Sequence, residues 1–162
     1  MVLRLANADI LPYDYTEFAR TMRRYLPVVD SALSSRRWSV TAAQLAVAID
    51  RMERSATAFA AARDSALTRA LPATTRRATN AALLRVERAL TRPEGLRSRP
   101  WYRGLVYASD ENNGYSTMVF PSVNEAIRTG DASLVGREIE DLARRFDAAA
   151  AALEHARRVV SR

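Results

Sequence analysis

Apolar and polar positions alternate with a helical period along most of this chain. Phe18, Met22, Tyr25, Leu26, Val29 and Leu33 recur at three- and four-residue steps, which lines up one face of an α-helix. Asp14 followed by Glu17 is a capping-box-like start, in which each side chain can satisfy the other's free backbone N–H. Pro27 falls inside the pattern and removes one backbone donor, so a kink or short break is expected there. Residues 34–38 read as a connection, and Thr41 with Gln44 as a second capping box. Leu45, Ile49, Met52, Ala56 and Phe59 trace a second stripe that continues toward Ala66 and Leu67, and Pro72 ends it. The alanines between 56 and 62 would let a neighbouring helix approach closely. A third helix is predicted over about 74–90, with Ala78, Ala82 and Val86 facing inward. Later, 123–129 predicts a short helix closed by Gly130. Val135, Ile139, Leu142, Phe146, Ala149, Leu153 and Val160 form the longest stripe.

Residues 91–122 break this rhythm. They hold three of the six prolines, three of the five glycines, and the aromatic group Trp101, Tyr102, Tyr107, Tyr115 and Phe120. No helical period fits, so a long ordered loop without regular structure is expected. Such a loop inside a compact domain usually has a function or packs against something else. The expected fold is therefore all-α: a four-helix-bundle-like helical domain with a long Pro/Gly/aromatic loop between the third and last long helices. A length of 162 residues suits one domain over 1–162, large enough to bury a real core.

Composition narrows the chemistry. The 25 basic residues are all arginine, and 18 acids leave a net charge of +7. Such a charge raises nucleic acid or an anionic surface as a partner. The arginine pairs at 23–24, 36–37, 76–77, 144–145 and 157–158 are spread over all the helices and interleaved with acids. No helix-turn-helix spacing or dense basic arm is present, so no nucleic-acid partner is expected. An all-arginine complement also arises simply from a GC-rich bacterial genome. The absence of cysteine excludes disulfides and thiolate metal sites. With His155 as the one histidine, a self-contained zinc site or a catalytic triad is not expected; His155 reads as a surface or helix-packing residue. The scattered glycines form no phosphate-binding loop. Glu138, Glu140 and Asp141 are expected on a solvated face or paired with Arg137, Arg144 and Arg145. No run is long enough for a membrane span, and MVLRLANADILPYD lacks the marks of a signal peptide. No cofactor, no metal ligand and no catalytic residue is expected in this chain.

The loop carries a more specific pattern. It runs Val86-Glu87-Arg88-Ala89-Leu90, Pro93, Gly95-Leu96, Arg99-Pro100-Trp101-Tyr102-Arg103 and Tyr107-Ala108, then Asn113-Gly114-Tyr115 and Phe120-Pro121. In this order and spacing it resembles the transferrin receptor-like dimerisation domain. That is the C-terminal helical domain of glutamate carboxypeptidase II, a zinc metallopeptidase, and of the transferrin receptor. The opening LRLANADILPYDY resembles the junction between peptidase and helical domains, here over 1–13. The resemblance implies a homodimer closed by helix packing, with the peptidase domain of the same parent chain as a second partner. It implies that zinc sits in that absent domain. It also implies that the loop before Phe120-Pro121 reaches toward the peptidase active site, where a Lys-Tyr pair of the family holds substrate carboxylates. Tyr115 takes the tyrosine position and Asn113 the preceding asparagine. Gly114 stands where the lysine would be, which removes a cationic contact to an acidic substrate.

Each of these residues has a plainer reading. Tyr115 is either a hydroxyl donor to a bound carboxylate in the parent or a ring that pins the loop. Glu87, Arg99 and Arg103 are either part of a binding site or ties between loop and bundle. Trp101, Tyr102, Tyr107, Phe120 and Pro121 are expected to anchor the loop by packing, Trp101 as a large buried aromatic. Two other functions compete with the dimerisation reading. One is a free-standing basic helical module that binds nucleic acid or an anionic partner; the other is a domain of an inactive receptor-like homologue.

Overall fold

The computed structural model describes residues 8–162; residues 1–7 of the expected junction lie outside them. Among these described residues five helices are present: α1 (Tyr15–Ser35), α2 (Ala43–Ala66), α3 (Ala73–Ala89), α4 (Pro121–Thr129) and α5 (Ala132–Val160). Between α3 and α4 lies a two-stranded antiparallel sheet, β1 (Tyr107–Ser109) and β2 (Thr117–Val119). The fold is all-α, with four long helices and one short one. The small sheet corrects the expectation that 91–122 lacks regular structure. Three-residue strands are too short to show an alternating pattern above the aromatic and glycine content around them.

Asp14 caps α1, its carboxylate accepting from the Glu17 N–H at 2.9 Å. The reciprocal half of the capping box is missing, because the Glu17 carboxylate pairs with Arg24 at 2.7 Å instead. The helix runs without interruption through Pro27, so of the expected kink or short break the break is absent. Pro27 is exposed while Leu26 and Val29 beside it are buried, so the packed face holds the helix across one lost donor. The second capping box is absent too: α2 begins after Ala42, with no side-chain cap. Ala42 itself is buried, and its N–H points to the Asp30 carboxylate at 3.4 Å, so the turn is fixed by packing. Leu67 lies beyond the end of α2 and is exposed rather than on the stripe.

On α3 the inward positions are Thr79, Ala82, Leu83 and Val86; Ala78, expected inside, is exposed. The cause is the segment before α1, which crosses α3. Asn80 accepts from the Leu11 N–H at 2.9 Å and donates to the Asp9 carbonyl at 3.1 Å, while Arg76 pairs with Asp9. That strap fixes which side of α3 faces the core.

The most extensive packing is between α2 and α5. It uses small residues: Ser55 and Ala56 on one helix, Ala149 and Ala150 on the other, are all buried. Arg51–Asp147 and Ser55–Glu154 link them with sequence numbers rising together, so these two helices run in the same direction. Arg20–Glu53 and Arg23–Asp50 link α1 and α2 as an antiparallel pair. The last stripe is buried throughout, with Phe146 against Phe120 in an edge-on contact at 6.3 Å. Phe146→Ala is expected to cost about 3–5 kcal/mol of unfolding free energy, read from urea denaturation; a loss under about 1 kcal/mol would show that the core does not depend on this ring.

Candidate functional site

The segment between α3 and α4 folds in two parts. The first, residues 91–105, closes on itself: Arg92 N–H donates to Arg103 at 2.9 Å, Leu96 to Tyr102 at 2.9 Å, and Leu105 to Leu90 at 3.1 Å. Gly95 makes this closure possible. It has φ +68°, and a Cβ there would sit 2.1 Å from the Pro100 carbonyl oxygen, so no other residue fits without moving the chain. Leu96 and Leu105 are fully buried and join the domain's hydrophobic core.

Two arginines tie this lobe to the bundle. Arg92 donates to the Glu138 carboxylate at 2.7 Å and to the Gly95 carbonyl at 2.9 Å. Arg99 donates to Glu125 at 2.5 Å and to the Ser109 carbonyl at 2.7 Å, with its guanidinium 5.7 Å from the Tyr102 ring centre. Glu138 was expected on a solvated face; it is instead buried, and its partner is Arg92 of the loop. Helical spacing predicts only partners on the same helix, so the sequence pointed to Arg137, Arg144 and Arg145. Of these, Arg144 and Arg145 pair with Glu140 and Asp141.

The second part is the β1–β2 hairpin, in register Tyr107–Val119, Ala108–Met118 and Ser109–Thr117. Its tip, residues 110–116, is closed by the Asp110 N–H on the Ser116 carbonyl at 2.8 Å and the Ser116 N–H on the Asn113 carbonyl at 2.9 Å. The Asn113 amide also donates to the Ser116 hydroxyl at 2.9 Å. Arg128 of α4 grips both oxygens of Asp110. That grip, helped by the Asn112 N–H, holds the Asp110 carboxyl well below the usual carboxylate range. Tyr115 at the tip is fully exposed, and the space around Gly114 is open.

Phe120 turns the chain from β2 into α4. It adopts a left-handed conformation (φ 50°, ψ 57°) with its ring fully buried. Its N–H donates to Val106 at 2.9 Å, its carbonyl accepts from Val123 and Asn124 at 3.0 Å, and the Asn124 amide donates to the Val119 carbonyl at 2.6 Å. Pro121 follows as the first, buried residue of α4, where its missing N–H costs nothing.

Three expected anchors behave differently. Trp101 is 76% exposed and touches only the edge of Tyr102 among aromatic rings; the lobe closes through backbone bonds and needs no indole inside. Tyr102 does the anchoring next to it, donating its hydroxyl to the Tyr107 carbonyl at 2.6 Å. Glu87 is exposed and makes no side-chain hydrogen bond among the described residues; its charge instead adds to burial in raising the Tyr15 pKa. Arg103 holds the loop through its backbone carbonyl, not its exposed guanidinium. The residues missed from sequence are Arg92, Asp110, Glu125 and Arg128, whose pairings join positions 18 to 46 residues apart with no local spacing to mark them.

Beside the hairpin base, an apolar groove of about 540 Å³ is lined by Tyr13, Phe18, Leu90, Leu105, Val106 and Tyr107. His155 is exposed on α5. Among the described residues no group of three or more His, Asp or Glu is placed to hold a metal ion. No described helix is long and apolar enough to cross a membrane.

The arrangement is a rigidly mounted, outward-facing loop on a helical domain. The family model described as "Transferrin receptor-like dimerisation domain" matches residues 24–154, which includes both parts of the loop. The chain belongs to this family. It is 29% identical over 127 residues to a probable glutamate carboxypeptidase of Arabidopsis thaliana, covering 78% of this chain and 18% of that protein. It is 27% identical over 137 residues to one of Arthroderma benhamiae, covering 84% and 19%. It is also 34% identical over 70 residues to an inactive zinc metalloprotease of Schizosaccharomyces pombe, covering 43% and 9%. The chain thus spans about a fifth of the length of the carboxypeptidases it matches. It is a dimerisation domain of glutamate carboxypeptidase-like proteins.

Two expectations follow for the loop of this dimerisation domain. Trp101→Ala should cost under about 1 kcal/mol in urea denaturation, as for an exposed side chain; a loss of about 3 kcal/mol or more would mean the ring is buried. The ion pair at the tip gives a pH dependence. A carboxyl with a lowered folded pKa stabilises above its unfolded value, about 3.9, and that contribution disappears only as pH falls through the folded value. The tip should therefore keep its order, read by NMR relaxation at residues 110–116, from pH 7 to below 3.9. Arg128→Gln should loosen it already at pH 7; an equally ordered tip in that variant would refute the role of the pair.

Proposed function

We propose that this chain is the non-catalytic homodimerisation domain of a glutamate carboxypeptidase-like metallopeptidase. In this reading it packs helices across a two-fold axis and presents the hairpin tip to the parent's peptidase domain. The observation that carries the reading is the hairpin itself: a tip held by Arg128 and its own backbone, with Tyr115 fully exposed and unused by the fold. A tyrosine left outside while its backbone is fixed is placed to contact something beyond this domain. Zinc belongs to the peptidase domain of the parent, and this chain supplies no ligand to it. The tip offers no cation, since Gly114 has no side chain and Glu111 beside it is acidic, which argues against a contact from this loop to an acidic substrate side chain. The all-arginine basic complement supports a bacterial source.

A second reading takes the parent as catalytically inert and receptor-like. The resemblance to a relative named an inactive zinc metalloprotease favours it, and the dimerisation role is common to both.

Light scattering behind size exclusion tests the pairing. A mass of about 36 kDa, twice the 18.0 kDa chain, is expected at low and high salt, since burial of apolar helix faces resists screening. A monomer at both salts would refute self-contained pairing. Tyr115→Phe in the parent should leave the melting temperature unchanged and lower kcat/KM. A marked loss of stability would assign Tyr115 to packing, unchanged kinetics with unchanged stability would remove it from the parent's reaction, and a parent without measurable turnover would favour the inert reading.

A further inference from the structure

The hairpin tip carries a reactive pair of residues. Of the five asparagines in the chain, only Asn113 is followed by a glycine. An asparagine amide can be attacked by the backbone nitrogen of the next residue, which closes a five-membered ring. A side chain on that next residue crowds the attack, and glycine has none. The space around Gly114 is open, and its N–H makes no hydrogen bond among the described residues. The attacking nitrogen is therefore uncommitted. The amide it would attack is held in place. Asn113 Oδ1 accepts from the Tyr115 N–H at 3.3 Å, and Nδ2 donates to the Ser116 hydroxyl at 2.9 Å. The bond from Tyr115 draws electrons from the amide carbon and stabilises the charge that grows on Oδ1 as the nitrogen adds.

Three other described asparagines lack this arrangement. Asn112 is also exposed, but the N–H that would attack it belongs to Asn113 and is held by the Asp110 carboxylate, which also accepts from the Asn112 N–H at 2.9 Å. Asn80 and Asn124 lie inside α3 and α4, where the following N–H is tied into the helix. Their amides donate to the Asp9 and Val119 carbonyls at 3.1 and 2.6 Å.

We propose that Asn113 is a site of spontaneous deamidation, which changes the charge of the surface the tip presents. The Gly114 nitrogen gives its proton to hydroxide and bonds to Asn113 Cγ. The Cγ–Nδ2 bond breaks, and Nδ2 takes a proton from water and leaves as ammonia. Water then opens the resulting succinimide at either carbonyl, giving aspartate or isoaspartate at 113. The net change consumes one water and releases one ammonia, with no oxidant or cofactor. The new carboxylate stands between the exposed Glu111 and the exposed Tyr115, so the tip gains a negative charge where it meets solvent. The Asp110–Arg128 pair that mounts the tip takes no part. This chemistry does not depend on the dimerisation reading.

Incubation of the folded chain at mildly alkaline pH, followed by peptide mapping with mass spectrometry, tests this. Asn113 is expected to convert first, at least about tenfold faster than Asn112, Asn80 or Asn124, with isoaspartate among the products. Gly114→Ala should slow the conversion at least about tenfold. A Cβ at 114 meets nothing, so that variant should keep the melting temperature of the parent chain. An intact Asn113 after several weeks would overturn the proposal. So would conversion no faster than at Asn112, a rate undiminished in Gly114→Ala, or aspartate as the only product, which would mean direct hydrolysis without the ring.

Discussion

Two buried carboxylates, Glu125 on α4 and Glu138 on α5, tie the long loop to the helical bundle. Each is almost fully removed from water, which is tolerable only with a close counter-charge and satisfied lone pairs. The counter-charges come from the loop, through Arg99 and Arg92. Each arginine also donates to a loop carbonyl, Arg99 to Ser109 and Arg92 to Gly95. One interaction therefore fixes the loop to a helix and also fixes the loop's own shape. Removing either partner would leave an uncompensated buried charge, at about 3–5 kcal/mol. This explains how a long segment with little core of its own stays ordered.

Phe120 sets the direction in which the hairpin leaves the bundle. A left-handed backbone at a non-glycine residue costs about 1–2 kcal/mol. Burying a phenylalanine ring contributes about 1.5–3 kcal/mol, which offsets it. A glycine would relieve the strain but lose the contact with Phe146 at 6.3 Å. The residue is thus chosen for its ring, and the backbone follows. Because the same residue starts α4 and pairs with Val106, the angle between hairpin and bundle is fixed at one point. Arg128, one helix turn further on than Asn124, then reaches Asp110 at the far end of β1.

The helices were legible in the sequence because each buries one periodic stripe; all seven positions of the last stripe are inside. The misreadings have physical causes. Ala78 and Thr79 differ by one position, and only the strap contacts at Arg76 and Asn80 decide which faces in. Pro27 costs one hydrogen bond, which a packed face can absorb. The loop's place and its aromatic content were visible as a break in period, and its family pattern was specific enough to be recognised. Its mounting was not visible, since Arg92–Glu138 and Arg99–Glu125 join partners on different elements. Trp101 shows the limit of reasoning from residue type: a tryptophan inside a conspicuous motif was expected to be buried, yet backbone closure at Gly95 left it outside.

The hairpin separates what holds it from what it presents. Its order comes from Asp110, Arg128, Asn113 and the strand pairing, while residue 114 meets nothing and Tyr115 packs on nothing. A change at 114 or 115 therefore alters the surface offered to a neighbour without a matching change in stability. A site built this way can lose a lysine or exchange a contact and keep its fold. The constraint acts on the mount, so substitutions at Asp110, Arg128, Glu125 or Phe120 should be the ones a relative cannot accept singly, while the two tip positions remain free to follow the partner.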